Sequence, residues 1–142
     1  MTRVYADVVG DLFHLGHVEF LRQARALGDF LVVGVHSDPD VATYKRLPIL
    51  SMSERLGVVA GCRYVDEVLP NAPLCVDRRW LDRHRLDLVA HGNDLDPDLL
   101  DRFYHVPLEL GILRTVPYTS GISTTEILKR VARRLQDPAS GL

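Results

Sequence analysis

Short β-branched apolar runs alternate along this chain with longer stretches in which apolar residues recur at helical spacing, the pattern of strand, crossover helix and parallel strand. Val4 to Val9 predicts a first strand. Leu15 to Leu27, with Val18, Leu21, Ala24 and Leu27 on one face, predicts a helix that Gly28 stops. Phe30 to Val35 is apolar without a break, which suits a strand covered on both faces. A polar loop from Ser37 to Leu50 follows. Ser51 and Glu54 have capping-box spacing for a helix through Val58 to Gly61, and Val65 to Leu69 predicts a third strand. A short helix near Asp77 to His84 leads to a fourth strand at Leu86 to His91, while Asp96 to Leu110 is mixed because Pro107 interrupts any long helix. Ile112 to Val116 predicts the fifth strand. Ser123 and Glu126 have the same capping-box spacing and open a last helix that carries Ile127, Leu128, Val131 and Leu135.

These elements fit one α/β domain over residues 1–135, a single Rossmann-like doubly wound five-stranded parallel sheet, with 136–142 as a flexible C-terminal tail. In such a sheet ligands lie at the carboxyl ends of the strands, near the point where the strand order switches. Composition narrows the function classes. A net charge of -2 offers no basic reservoir for a nucleic-acid backbone, so no nucleic-acid partner is expected. The chain reaches a charge within its first residues, and no apolar run has the length of a signal core or membrane span; a cytoplasmic protein with no membrane partner is expected. Cys62 and Cys75 make neither a disulfide framework nor a zinc-site spacing and predict buried thiols. Fifteen arginines stand against two lysines, Lys45 and Lys129, which makes each lysine a position to examine.

The candidate chemistry begins where the first strand ends. Val9-Gly10-Asp11 leads into His14-Leu-Gly16-His17 and straight into a helix. Histidines three apart turn both imidazoles to one side of a helical backbone, and Gly16 removes a side chain that would block a close ligand. The helix N-terminus adds amide donors and partial positive charge, so the segment reads as a phosphate clamp. A chance-packed pair, or a metal held through the i, i+3 spacing, is the other reading. Asp11 would orient a histidine or neighbouring amides, or stabilise a turn. Gly121-Ile122-Ser123-Thr124-Thr125 places hydroxyls and amides at the start of the last helix, as a second phosphate site or as plain capping. His91-Gly92-Asn93-Asp94 ends the fourth strand across the expected switch point, with Gly92 permitting a close approach; a polar turn is the alternative. Lys45 sits in the loop after the second strand, where a lysine could fold over a triphosphate. Arg78, Arg79 and Arg83 around Trp80 read as an exposed helix face or an acceptor contact, and His36, His84 and His105 show no partner spacing.

His14-Leu-Gly-His17 matches the H-x-G-H signature of the nucleotidylyltransferase superfamily. Val33-Gly-Val-His-Ser-Asp38, Lys45, Glu54-Arg55, Arg63-Tyr-Val-Asp-Glu-Val68, His91-Gly-Asn-Asp94 and Gly121-Ile-Ser-Thr-Thr125 follow in the order and approximate spacing of its cytidylyltransferase branch. The chain thus resembles ethanolamine-phosphate and glycerol-phosphate cytidylyltransferases over nearly its whole length, and also the small phosphonate cytidylyltransferases. That resemblance implies transfer of CMP from CTP to a small anionic acceptor with loss of pyrophosphate, a Mg2+ ion accompanying CTP, and a homodimer. It implies His14, His17 and Lys45 as catalytic residues. Nucleotide contacts fall to Val9, Gly10, Asp11, Gly16, His91, Gly92, Asp94, Ile122, Ser123, Thr124 and Arg63, with Asp94 near the ribose and Arg63 at the nucleotide or a neighbouring subunit. No metal ligands are assigned.

Two departures bear on the acceptor. Val8-Val-Gly-Asp11 replaces the family's G-x-F-D, so the backbone beside the triphosphate is expected to run differently. Tyr118 stands where the family writes the arginine of R-T-x-G-I-S-T-T, and Arg114 lies too far along its strand to substitute at about 3.3 Å per residue. Tyr118 and Arg55 are assigned to the acceptor, with a helix-surface cation as the other reading of Arg55; Tyr118 and the lack of an amphipathic membrane extension make a phosphonate the expected acceptor. A phosphomonoester such as ethanolamine phosphate, choline phosphate or glycerol phosphate is the alternative. Further alternatives are an adenylyltransferase using ATP, because the histidine motif does not identify the base, and a nonenzymatic nucleotide sensor.

Overall fold

The computed structural model describes residues 1–139 and 141. Its elements, in chain order, are β1 (Arg3–Val8), α1 (Leu15–Arg25), β2 (Phe30–Val35), α2 (Asp38–Ala42), α3 (Met52–Ala60), β3 (Glu67–Leu69), α4 (Arg78–His84), β4 (Leu88–Gly92), α5 (Pro97–Glu109), β5 (Leu113–Val116) and α6 (Thr124–Gln136). The five strands form one parallel sheet in the order β3-β2-β1-β4-β5. The predicted doubly wound architecture is therefore the observed one, and the order reverses between β1 and β4.

Strand alternation divides the core between the two faces. Val4 and Ala6 of β1 pack with Leu31, Val33 and Val35 against Leu21 and Ala24 of α1 and Val59 of α3. Tyr5, with Val32 and Val89, faces Leu81 of α4 and Tyr104 of α5 instead. The same period of two puts Asp7, two residues beyond Tyr5, on the α4/α5 side at the carboxyl end of β1. A buried carboxylate thus stands at the switch point.

Several boundaries differ from the pattern for identifiable reasons. The polar segment after β2 contains α2, opened by the Ser37 hydroxyl and Pro39. Asp96 to Leu110 is mostly helical despite Pro107, but the backbone leaves helical angles at Tyr104 (φ -126°, ψ 17°). A proline ring crowds the carbonyl four residues earlier and cannot donate to it. That carbonyl, of Phe103, accepts the Val76 amide at 2.8 Å instead, and the kink sets Tyr104 inside the protein. Helix α6 runs through Gln136, one residue into the segment predicted as a tail; Ser140 and Leu142 of that segment lie outside the described residues. Cys62 and Cys75 are free but half-buried rather than buried. No described helix is long and apolar enough to cross a membrane.

Candidate functional site

A cavity of about 530 Å³ opens at the carboxyl ends of β1 and β4, between the N-termini of α1 and α6. Its most informative wall is the start of α1. His14 is the N-cap: its Nδ1 accepts the Gly16 amide at 3.0 Å, while His17 Nδ1 accepts the His14 amide at 3.1 Å. The histidine pair is thus a reciprocal cap built from imidazoles. An Nδ1 that accepts from a backbone N–H carries no proton, so each neutral ring holds its hydrogen on Nε2 and keeps that N–H for the cavity. The rings lie 4.0 Å apart, and His17 stacks on Phe13 at 5.1 Å. Burial, then the neighbouring His14 and Lys45, pushes the His17 pKa down to about 4, and burial lowers that of His14. Both are neutral hydrogen-bond donors at physiological pH and not acids in reserve.

This depression has a measurable consequence. Folded His17 titrates near 4 and an unfolded histidine near its usual 6.5, so between those values the unfolded chain binds more protons. The stability that His17 contributes is complete above about pH 6.5 and is lost as the pH falls towards 4. Urea unfolding at pH 7 and pH 5 should show a smaller acid-induced loss for His17→Asn than for the wild type; equal losses would contradict the buried neutral ring.

Gly16 serves the cap more directly than it serves a ligand. A Cβ there would meet His14 Cε1 at 2.7 Å, so the missing side chain is what lets the ring fold back over the helix end. The opposing wall is the start of α6. Ser123 caps it by accepting the Glu126 amide at 3.0 Å, leaving the Thr124 and Thr125 amides at the open helix end. The expected reciprocal box is half made, because the Glu126 carboxylate pairs with Arg130 and Arg133. Thr124 Oγ1 donates to the Asp11 carbonyl at 3.1 Å, tying the two helix ends around one cavity.

Asp11 carries the third wall. Its carboxylate accepts the amides of Ile49 and Leu50 at 2.8 and 2.9 Å, which anchors the loop that presents Lys45. Of its two predicted roles, orientation of amides is the observed one, although those amides lie far away in sequence. Lys45 is exposed to solvent yet surrounded by the cleft; that crowding lowers its pKa, opposed by Asp94. Arg46, which the sequence pattern did not mark, also lines the cavity and donates to Thr125 Oγ1 at 3.2 Å.

A second lobe of about 360 Å³ continues from the first, sharing Asp7, Val8, Val9, Lys45, His91 and Asp94. At its floor Asp7 Oδ1 accepts the Tyr104 hydroxyl, and Asp7 Oδ2 is buried without a hydrogen-bond partner. His36 lies 3.6 Å away through Nε2, but its Nδ1 faces the Ala72 carbonyl at 3.1 Å. A carbonyl can only accept, so Nδ1 carries a proton, and Nε2 is the ring atom left facing Asp7 Oδ2. Tyr44, Phe103, Tyr104 and His91 wall the lobe. Burial and the Asp7 charge raise the Tyr44 pKa to about 12 and that of Tyr104 well above its usual value.

The structure brings most of the predicted residues together. His14, His17, Lys45, Val9, Asp11, Gly16, His91, Gly92, Asp94, Tyr118, Ile122, Ser123 and Thr124 all line the first cavity. Three do not. Gly10 lies behind it, at φ +72°, where a Cβ would press on Val59 at 3.1 Å. Arg63 is exposed before β3, at the amino ends of the strands, with its guanidinium over the Tyr64 ring; it does not reach this chain's cleft. Arg55 is neither a surface cation nor an acceptor contact, because it is wholly buried and its donors go to the Val9 and His36 carbonyls, Asp38 and Met52. Gly92 makes room for Asp94, whose Oδ1 would lie 2.6 Å from a Cβ there. Arg78, Arg79 and Arg83 are exposed, as the helix-face reading has it. Asp7, Phe20, Arg46 and Thr119 are cavity residues that the pattern did not single out.

Among the described residues no three His, Cys, Asp or Glu side chains cluster to hold a metal. Asp7, Asp11 and Asp94 are the carboxylates that line the cavity; Asp11 is committed to two amides and Asp7 to the Tyr104 hydroxyl, so Asp94, which is exposed, is the most open of the three. One carboxylate suits a magnesium ion that arrives on phosphate oxygens and keeps its waters.

A family model described as cytidylyltransferase-like matches residues 10–130. The chain is 46% identical over 139 residues to the ethanolamine-phosphate cytidylyltransferase of Dictyostelium discoideum, covering 94% of this chain and 39% of that protein. It is 40% identical over 142 residues to human choline-phosphate cytidylyltransferase A, covering 93% of this chain and 37% of that one. It therefore spans well under half the length of either relative. Among solved structures, a lipopolysaccharide core biosynthesis protein from Thermoplasma volcanium superposes with a TM-score of 0.66 at 28% identity, covering 84% of this chain and 99% of that one.

Proposed function

The chain belongs to the cytidylyltransferase-like family, and from that premise we propose that it transfers CMP from MgCTP to a phosphomonoester bearing a small ammonium group, of the ethanolamine phosphate kind. The phosphonate suggested by Tyr118 gives way to the phosphomonoester, because relatives at 46% and 40% identity carry ethanolamine-phosphate and choline-phosphate in their names. One structural observation carries the reading: the buried Asp7 oxygen that has no hydrogen bond, only His36 at 3.6 Å, in a lobe walled by aromatic rings. A buried carboxylate among π-faces disfavours an anionic or neutral occupant and suits a compact cation.

The proposed chemistry is in-line attack by the acceptor's phosphate oxygen on the α-phosphorus, with pyrophosphate as leaving group. The attacking oxygen is already anionic, so no residue has to remove a proton. Catalysis then consists of positioning and of stabilising charge around the α-phosphorus. The Nε2–H groups of His14 and His17, the amides at the start of α6 and the Lys45 ammonium supply that stabilisation. A magnesium ion bound with CTP would supply charge neutralisation on the triphosphate, with Asp94 as the open carboxylate that could meet it.

Incubation with radiolabelled CTP should give a CDP-alcohol and pyrophosphate from ethanolamine phosphate. Glycerol phosphate, which lacks the cation, should react at least about tenfold less well in kcat/KM, and Asp7→Asn should abolish most of that preference. Product from 2-aminoethylphosphonate alone would reinstate the phosphonate, and turnover with ATP but not CTP would make the protein an adenylyltransferase. Nucleotide binding without pyrophosphate release for any acceptor would leave a sensor.

A further inference from the structure

The triphosphate lobe has two cations on its described wall, and they are consecutive residues. A nucleoside triphosphate brings several negative charges, and the family position that would meet them with a guanidinium holds Tyr118, a phenol that is 50% exposed and lines the same lobe. Arg114, the preceding arginine on that strand, is occupied elsewhere: it donates to the carbonyls of Gly111 at 2.9 Å and Leu113 at 3.2 Å. The guanidinium of this lobe therefore comes from the opposite side, from the loop after α2.

We infer that Arg46 is the residue that binds the leaving pyrophosphate portion of CTP, a guanidinium relocated from the α6 side of the cleft to the Lys45 loop. This rests on the proposed reaction for its catalytic meaning. The placement follows from how the loop is held. Asp11 fixes its far end through Ile49 and Leu50, and α2 fixes its near end, so the residues between span the cavity mouth. The two side chains then diverge. Lys45 also lines the second lobe together with Asp94 and His91, where β4 ends, with its Nζ 5.4 Å from the Tyr44 ring centroid, and Arg46 does not. Arg46 reaches the first turn of α6 at Thr125 Oγ1, 3.2 Å away, beside the free amides of Thr124 and Thr125. A hydroxyl is a weak partner for a guanidinium, and an anionic oxygen entering between Arg46 and those amides would replace it with charge-assisted bonds. One loop thereby presents an ammonium to the phosphorus that changes partners and a planar fork to the group that departs.

The test separates the phosphates by binding, so it needs no acceptor. Calorimetry should show that Arg46→Ala weakens CTP and pyrophosphate binding about 10- to 100-fold while CMP binding changes by less than about threefold. Adding Tyr118→Arg to Arg46→Ala should recover most of the CTP affinity, since it returns the guanidinium from the other wall. Arg46 is exposed, and an unchanged circular dichroism spectrum and urea midpoint will show that the variant folds. Equal losses for CTP and CMP, no loss for either, or a Tyr118→Arg background that fails to rescue would overturn the assignment. If the wild type binds CTP but transfers CMP to no acceptor, the transfer reading fails while the split between CTP and CMP still decides the role of Arg46. If it binds neither nucleotide, both fall.

Discussion

His17→Asn should lower kcat by about 10² to 10³ while leaving the protein folded, the cost of removing one preorganised donor from a site where charge develops. The choice of asparagine separates two jobs that the imidazole performs. Its Nδ1 accepts the His14 amide and so completes the cap of α1, a contact worth about 0.5 to 2 kcal/mol. Its Nε2–H is the group left for a phosphate oxygen. Asparagine places a carbonyl oxygen near the Nδ1 position but has nothing at Nε2, so stability should stay close to wild type while turnover collapses. His17→Ala removes both and should lose the cap energy in addition. Steady-state kinetics and urea midpoints on the two variants give the separation, and a folded His17→Asn near the wild-type rate would exclude the imidazole from the chemistry. His14→Asn should behave similarly, since its Nδ1 is held by Gly16. Because the rings lie 4.0 Å apart, the double variant should lose less than the sum of the two single losses.

The histidine pair also shows what the amino-acid pattern reveals and what it leaves hidden. Spacing three apart at a strand-to-helix junction was enough to place both rings on one cavity, because local backbone geometry decides that. The same logic located Ser123, Thr124 and His91, each at the end of an element whose periodicity is visible. What the pattern lacked was the partner of each side chain. Asp11 holds amides 38 and 39 residues away, and Asp7 meets a tyrosine from a helix 97 residues on. Such pairings depend on strand order and on a kink set by a carbonyl that found Val76. Arg46 escaped notice for a related reason: beside a lysine in a polar loop it looks solvated, and only the position of α6 gives it a wall to face.

Arg55 is the sharpest divergence, and its removal should have the largest effect on stability. A glutamate-arginine pair opening a helix reads as surface charge, yet the guanidinium is 0% exposed. One terminal nitrogen donates to the Val9 carbonyl at 2.7 Å and the His36 carbonyl at 2.8 Å. Those residues follow the last positions of β1 and β2, so Arg55 continues the sheet where the ladder has ended. Its other terminal nitrogen pairs with Asp38, whose side chain is 44% exposed and can rehydrate if left alone. Arg55→Leu should therefore cost about 3 to 5 kcal/mol, chiefly from two carbonyls stranded in the interior and the volume left unfilled. Asp38→Asn, which disturbs only the solvated end, should cost under about 1 kcal/mol. Urea unfolding of the two variants measures the contrast. The Leu variant should also lose activity without any contact to a ligand, because Val9, whose carbonyl Arg55 holds, lines the first cavity. A cost below about 1 kcal/mol for Arg55→Leu would mean that the strand ends hold themselves in place, and the arginine would again have to be explained by what it binds.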